Sequence, residues 1–136
     1  MHRSFWIGLA LNVVWVNVST IFRYFLFVRP MMRSAFPMLP DVAEMNPPVF
    51  FAWGVWGAIP ILSISTISWL MLNRFGLRVS VVFASGTIAW AIVYANLWGA
   101  TYLMNLAPLT LVSIVLVLGW LEMVIGAFLV RWSMSR

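Results

Sequence analysis

Four long apolar runs, separated by short polar breaks, make up most of the chain and predict helices at about 5–28, 48–72, 79–103 and 108–131. None alternates with the period of two that a half-buried strand requires. Each has about 20 residues or more, enough to cross roughly 30 Å of hydrocarbon at about 1.5 Å per residue. The first run follows a basic start, Met1-His2-Arg3, but is too long for the apolar region of a signal peptide. No small-x-small cleavage site follows it either, so it reads as a membrane helix. The breaks Asn73–Gly76 and Asn105–Pro108 are short and make sequential helices antiparallel neighbours. The fold class expected is an all-α membrane protein, a four-transmembrane-helix antiparallel bundle forming one domain over residues 1–136.

The sizeable break is the segment 30–47. Its four prolines (Pro30, Pro37, Pro40, Pro47), with Pro48 directly after, stiffen it, and Met31, Met32, Phe36, Met38 and Leu39 make it apolar. Such a loop is expected to lie in the membrane interface, folded over the mouth of the bundle or against a partner. Asp41-Val42-Ala43-Glu44 has the spacing of a capped helical turn. Pro60, inside the second run, is expected to kink it.

Composition agrees with a lipid environment. Of 136 residues, 64% are hydrophobic and 8% charged, against about 25% charged in soluble domains. The net charge of +5 comes from eight arginines and no lysine, against Asp41, Glu44 and Glu122. These arginines stand singly at the ends of apolar runs, where they orient membrane helices, so nucleic-acid binding is not expected. Arg3, Arg74, Arg78, Arg131 and Arg136 fall on one side of a four-pass chain, which places both termini in the cytoplasm, as in a multi-pass protein of the bacterial inner membrane. There is no cysteine, so disulfides and thiolate chemistry are excluded.

One residue departs from the pattern. Glu122 is the sole charge between Leu109 and Val130. An acid at the centre of a membrane helix costs roughly 2.5–3.5 kcal/mol and therefore faces a partner or a water-filled space. Counting from the helix midpoints at about 1.5 Å per residue brings Asn12, Ser63, Ser65, Thr66 and Thr87 to its level. Glu122, Asn12, Ser63, Thr66 and Thr87 thus form the expected intramembrane polar site. On the same count Arg23 falls roughly 15 Å away and is disfavoured as the counter-ion. An acid in lipid without a cation is held in its neutral, protonated form.

Membrane helices associate through small residues, because hydrophobicity alone gives no reason to leave lipid. The expected seams are Gly54 and Gly57 in the second helix, Ala91, Ala95 and Gly99 in the third, and Gly119 and Gly126 in the fourth. The first helix carries Gly8, Asn12, Ser19 and Arg23 on one stripe.

The remaining chemistry is thin. Methionines suit Cu(I), but their spacing here is irregular, and His2 alone makes no metal or haem site, so no metal and no cofactor are expected. Trp15, Trp56, Trp90 and Trp120 lie too deep for the interfacial aromatic belt and would suit the wall of a pocket for a flat apolar small ligand. No Ser/His/Asp arrangement, carboxylate pair or phosphate loop is present, so an enzyme is not expected. Asn46-Pro47-Pro48 with Phe51 and Trp56 faintly resembles the tryptophan-rich sensory (translocator) proteins. Those have five helices and a tryptophan before the Pro-Pro, where this chain has four and Met45, so it is not placed among them. The expected role is a subunit or accessory component of a membrane complex or homo-oligomer, with the lipid bilayer and other membrane subunits, or itself, as partners. The alternative is a proton- or cation-coupled small transporter, or an apolar-ligand binder, centred on Glu122.

Overall fold

The computed structural model describes residues 2–136, with side-chain surroundings from residue 3 onward, so the side chain of His2 lies outside the described residues. The described residues form helices and turns with no strand, and four of the helical spans are long and apolar enough to cross a membrane: Arg3–Ala35, Pro47–Phe75, Val79–Leu103 and Leu109–Met134. These features mark the chain as a membrane protein.

The first span joins α1 (His2–Arg23) to α2 (Arg29–Ala35) through a π-helical turn at Tyr24–Val28, where the Arg29 N–H reaches back to the Tyr24 carbonyl. It runs seven residues past the expected end at residue 28. Pro30 follows directly on the π-helical turn inside one continuous helix, so its missing N–H removes a backbone bond there without ending the span. Residues 36–46 form turns, not a capped helical turn: the Glu44 N–H bonds to the Asp41 carbonyl and Ala43 has a positive φ of 53°. The Tyr24 hydroxyl donates to the Ala43 carbonyl and ties this loop back onto the first span.

The second span consists of α3 (Pro47–Trp56) and α4 (Ala58–Phe75), interrupted at Gly57, one turn before Pro60. Asn46 caps α3, its side chain accepting from the Val49 N–H at 3.0 Å, and Pro47 and Pro48 fill the first turn, where orphan N–H groups would otherwise need partners. The third span links α5 (Val79–Trp90) to α6 (Asn96–Leu103) through a second π-helical turn at Ala91–Ala95. The fourth, α7 (Leu109–Met134), is unbroken.

The other three spans pack around α7. It is buried along its whole length, from Leu111, Val112 and Val115 through Gly119, Met123 and Ala127 to Val130 and Ser133. Its register with α1 is plain from the contacts. The Ser133 hydroxyl donates to the Ser4 carbonyl, a Cβ on Gly8 would meet Val130, one on Gly126 would meet Asn12, and the Trp15 indole donates to the Glu122 carbonyl at 2.9 Å. At the same end, Arg131 donates to the Leu77 carbonyl in the turn between α4 and α5.

Burial in the other spans is one-sided along their length. Val16, Ile61, Ile64, Leu72, Val82 and Ala89 form the core nearer the chain termini. In contrast, α2, α3 and α6 contain no buried residue.

Two packing seams differ from expectation. Gly54 and Gly99 face open space, Gly57 meets only its own turn, Ala91 is exposed and Ala95 half-buried. The third span instead packs through Val82, Ser85, Gly86 and Ala89. A Cβ on Gly86 would stand 2.8 Å from the Val124 Cα, so backbones approach closely there. Gly119 and Gly126 do pack, against the Tyr94 ring and against Asn12 and Ile64.

Candidate functional site: a buried ion-pair ring

Glu122 and Arg23 meet. Arg23 Nη1 donates to Glu122 Oε2 at 2.9 Å, and the two residues are 5% and 1% exposed. The expectation that Arg23 lies too far from Glu122 is therefore corrected, for two reasons. First, the spans differ in length, so their midpoints are not level. With Trp15 beside Glu122, Arg23 lies near the level of residues 114–115, an offset of about 11 Å in place of roughly 15 Å. Second, helical side chains lean toward the N-terminus of their own helix. Arg23 leans back along α1 and Glu122 back along α7, so the two close on each other across the remaining gap.

Two further residues complete the arrangement. The Tyr94 hydroxyl donates to Glu122 Oε1 at 2.6 Å and accepts from Arg23 Nη2 at 2.9 Å. Arg23, Glu122 and Tyr94 therefore form a closed ring of hydrogen bonds. The Ser19 hydroxyl donates to Oε2, and Thr20 accepts from Arg23 Nη2 at 3.4 Å. The guanidinium also lies 4.7 Å from the centroid of the Tyr94 ring, close enough for a cation–π contribution. Three donors on one acceptor-only group suit a carboxylate. The ring joins three of the four spans.

Local sequence explains the geometry. Ser19 and Arg23 are four residues apart and share a face of α1, one turn beyond Trp15. Gly119 is a turn before Glu122 on α7, and its missing side chain makes room for the Tyr94 ring, which would come within 2.9 Å of a Cβ. Tyr94 lies within the π-helical turn Ala91–Ala95, and Arg23 immediately precedes the one at Tyr24–Val28. A π-helical turn accommodates an extra residue and shifts the faces that follow it. The buried stripe of the third span thus runs from Ala89 to Tyr94, five residues on, where an α-helical stripe would go on to residue 92 or 93.

Comparison with family models, with curated proteins and with solved structures yields no match.

The other residues of the expected polar layer lie elsewhere. Asn12 is fully buried and donates to Ser65 at 3.0 Å, about one turn from the ring, with its own Oδ1 unpartnered. Ser63 is half-buried, Thr66 is exposed, and Thr87 is exposed and accepts from the Trp120 indole at 3.0 Å. Ser68 donates to Ser85 at 3.1 Å, a buried link between α4 and α5. Three of the four deep tryptophans act as clamps. Trp15 and Trp90 donate to the Glu122 and Leu116 carbonyls of α7, and Trp120 to Thr87; Trp56 is exposed. Among the described residues no group of three or more His, Cys, Asp or Glu side chains converges as a metal site would require.

Proposed function

We propose that this chain is a membrane-embedded assembly or accessory subunit: an antiparallel four-helix bundle, termini cytoplasmic, that performs no catalytic step and is completed by other membrane helices or by copies of itself. The observation that carries this reading is α3. None of its ten residues is buried, nine are exposed, and Phe50, Phe51, Trp53, Val55 and Trp56 are more than half exposed. Aromatic residues are enriched where proteins meet one another, in contrast to the small-residue seams that hold the helices of this bundle together. An open groove of about 730 Å³ runs along this helix between Met45 and Val55. The ion-pair ring fits the same reading, because it holds three spans in one register and leaves α3 to project.

The test is the mass of the particle extracted in a gentle detergent. It should exceed the 15.5 kDa of one chain, and a Phe51→Ala, Trp53→Ala, Trp56→Ala variant should fall to that mass with its helix content unchanged. A wild-type particle of one chain would refute the proposal.

A coupled-transport reading draws support from the two π-helical turns beside Arg23 and Tyr94, since such turns recur at functional sites. Against it, every oxygen of Glu122 is engaged, and neither of the surface grooves at α3 and at the 76–78 turn includes a residue of the ring. Under this second reading the double variant Arg23→Gln/Glu122→Gln would abolish substrate movement while leaving the particle mass unchanged.

A further inference from the structure

We infer that the end of the bundle bearing the chain termini holds an anionic phospholipid, with its phosphate at Arg74 and Arg78 and an acyl chain in the groove between the second and third spans. The inference does not depend on the assembly reading.

Charge is the first argument. The contacts of Ser133 with Ser4 and of Arg131 with Leu77 gather Arg3, Arg74, Arg78, Arg131 and Arg136 at one end. No acidic side chain accompanies them. Asp41 and Glu44 belong to the loop at the far end, and Glu122 is consumed by Arg23. Two of the five are already occupied within the chain: Arg131 by the Leu77 carbonyl and Arg136 by the Trp132 ring, 3.9 Å from its centroid. Arg74 and Arg78 are exposed, and among the described residues their side chains have no hydrogen bond or ion pair.

Shape is the second. A groove of about 380 Å³ opens at Arg78, and Arg74 stands just outside its lining, next in sequence to Phe75 of its wall. Arg78 and Ser80 form its polar rim, and Met71, Phe75, Val81 and Ala84 its apolar wall. Ala84 is five residues into its span from Val79, about 8 Å deeper in the membrane. Cationic and hydroxyl groups at the rim with an apolar trough running inward match a phospholipid, head outward and chain inward. Basic clefts between membrane helices bind anionic head groups in this way. A zwitterionic head group, whose own ammonium offsets its phosphate, gains less from two unpaired guanidiniums.

The test is native mass spectrometry of the purified protein offered phosphatidylglycerol and phosphatidylcholine of matched chains. Phosphatidylglycerol should be retained preferentially, and Arg74→Gln/Arg78→Gln should reduce that preference by roughly five-fold for each arginine. Both residues are exposed, so the variant should keep its fold. Arg33→Gln, at the far end, should leave the preference unchanged. Ala84→Trp, which fills the trough but keeps both arginines, should lower retention of the diacyl lipid. Equal retention of the two lipids, an unchanged preference in the double variant, or a loss equally produced by Arg33→Gln would overturn the inference. So would displacement of the lipid by millimolar inorganic phosphate, which would make the site one for free phosphate, or undiminished lipid retention by Ala84→Trp.

Discussion

The half of the molecule nearer the chain termini and the half nearer the 36–46 loop use similar residues to opposite ends. In the first, glycines admit neighbouring helices: Gly8 meets Val130, Gly86 meets Val124, and Gly126 meets Asn12 and Ile64. In the second, Gly54 and Gly99 meet nothing. Two pairs of tryptophans show the same contrast, since Trp15 and Trp90 clamp onto α7 while Trp53 and Trp56 are exposed. The ion-pair ring lies between the two halves, and the interruptions at Tyr24–Val28, Gly57 and Ala91–Ala95 mark the points beyond which three spans bury little. A small or aromatic residue in a membrane helix is therefore a packing element only where the backbone delivers it to a neighbour.

The largest effect is expected at the ring. Glu122→Gln leaves Arg23 as a buried uncompensated cation and should destabilise the bundle by about 3–5 kcal/mol in a detergent-unfolding titration. Arg23→Gln/Glu122→Gln should recover most of that loss, because the pair is removed together. If the single and double variants were equally unstable, the ring would not act as a charge pair.

Next come the glycines. In Gly86→Leu the Cβ alone would stand 2.8 Å from the Val124 Cα, so the two backbones must move apart, at a cost of about 1–3 kcal/mol or more in the same titration. Gly54→Leu, facing open space, should stay within about 0.5 kcal/mol. Similar values for both would erase the distinction between the halves.

The smallest effect separates the tryptophans. Trp15→Phe deletes one donor to the Glu122 carbonyl and should cost about 0.6 kcal/mol, the average for hydrogen bonds between membrane helices, and no more than about 1.7 kcal/mol. Trp56→Phe, without such a bond, should leave the unfolding midpoint in place.

Much of this architecture is legible in the sequence. Four runs of membrane length, the sparse charge and the anomaly of Glu122 follow from hydropathy, because every spanning segment must satisfy its own backbone in lipid. The stripe of Gly8, Asn12, Ser19 and Arg23 was readable too, because α1 is regular up to Arg23 and residues three or four apart share a face. The third span was not readable in this way. A π-helical turn leaves no mark in hydropathy, yet it moves the inward face from residue 92 or 93 to Tyr94 and so hides the phenol that completes the ring.

Sequence by itself thus determined that a buried carboxylate needs company, since the cost of a lone charge in lipid is set by its chemistry and its distance from water. Only the tertiary structure decided which company. Axial register depends on how far each helix overhangs its neighbours, and that is a property of the packed assembly, beyond the reach of any single run. The register brings Trp15 level with Glu122, and side chains leaning toward their own N-termini do the rest, so that Arg23 meets an acid whose helix position is about 11 Å away.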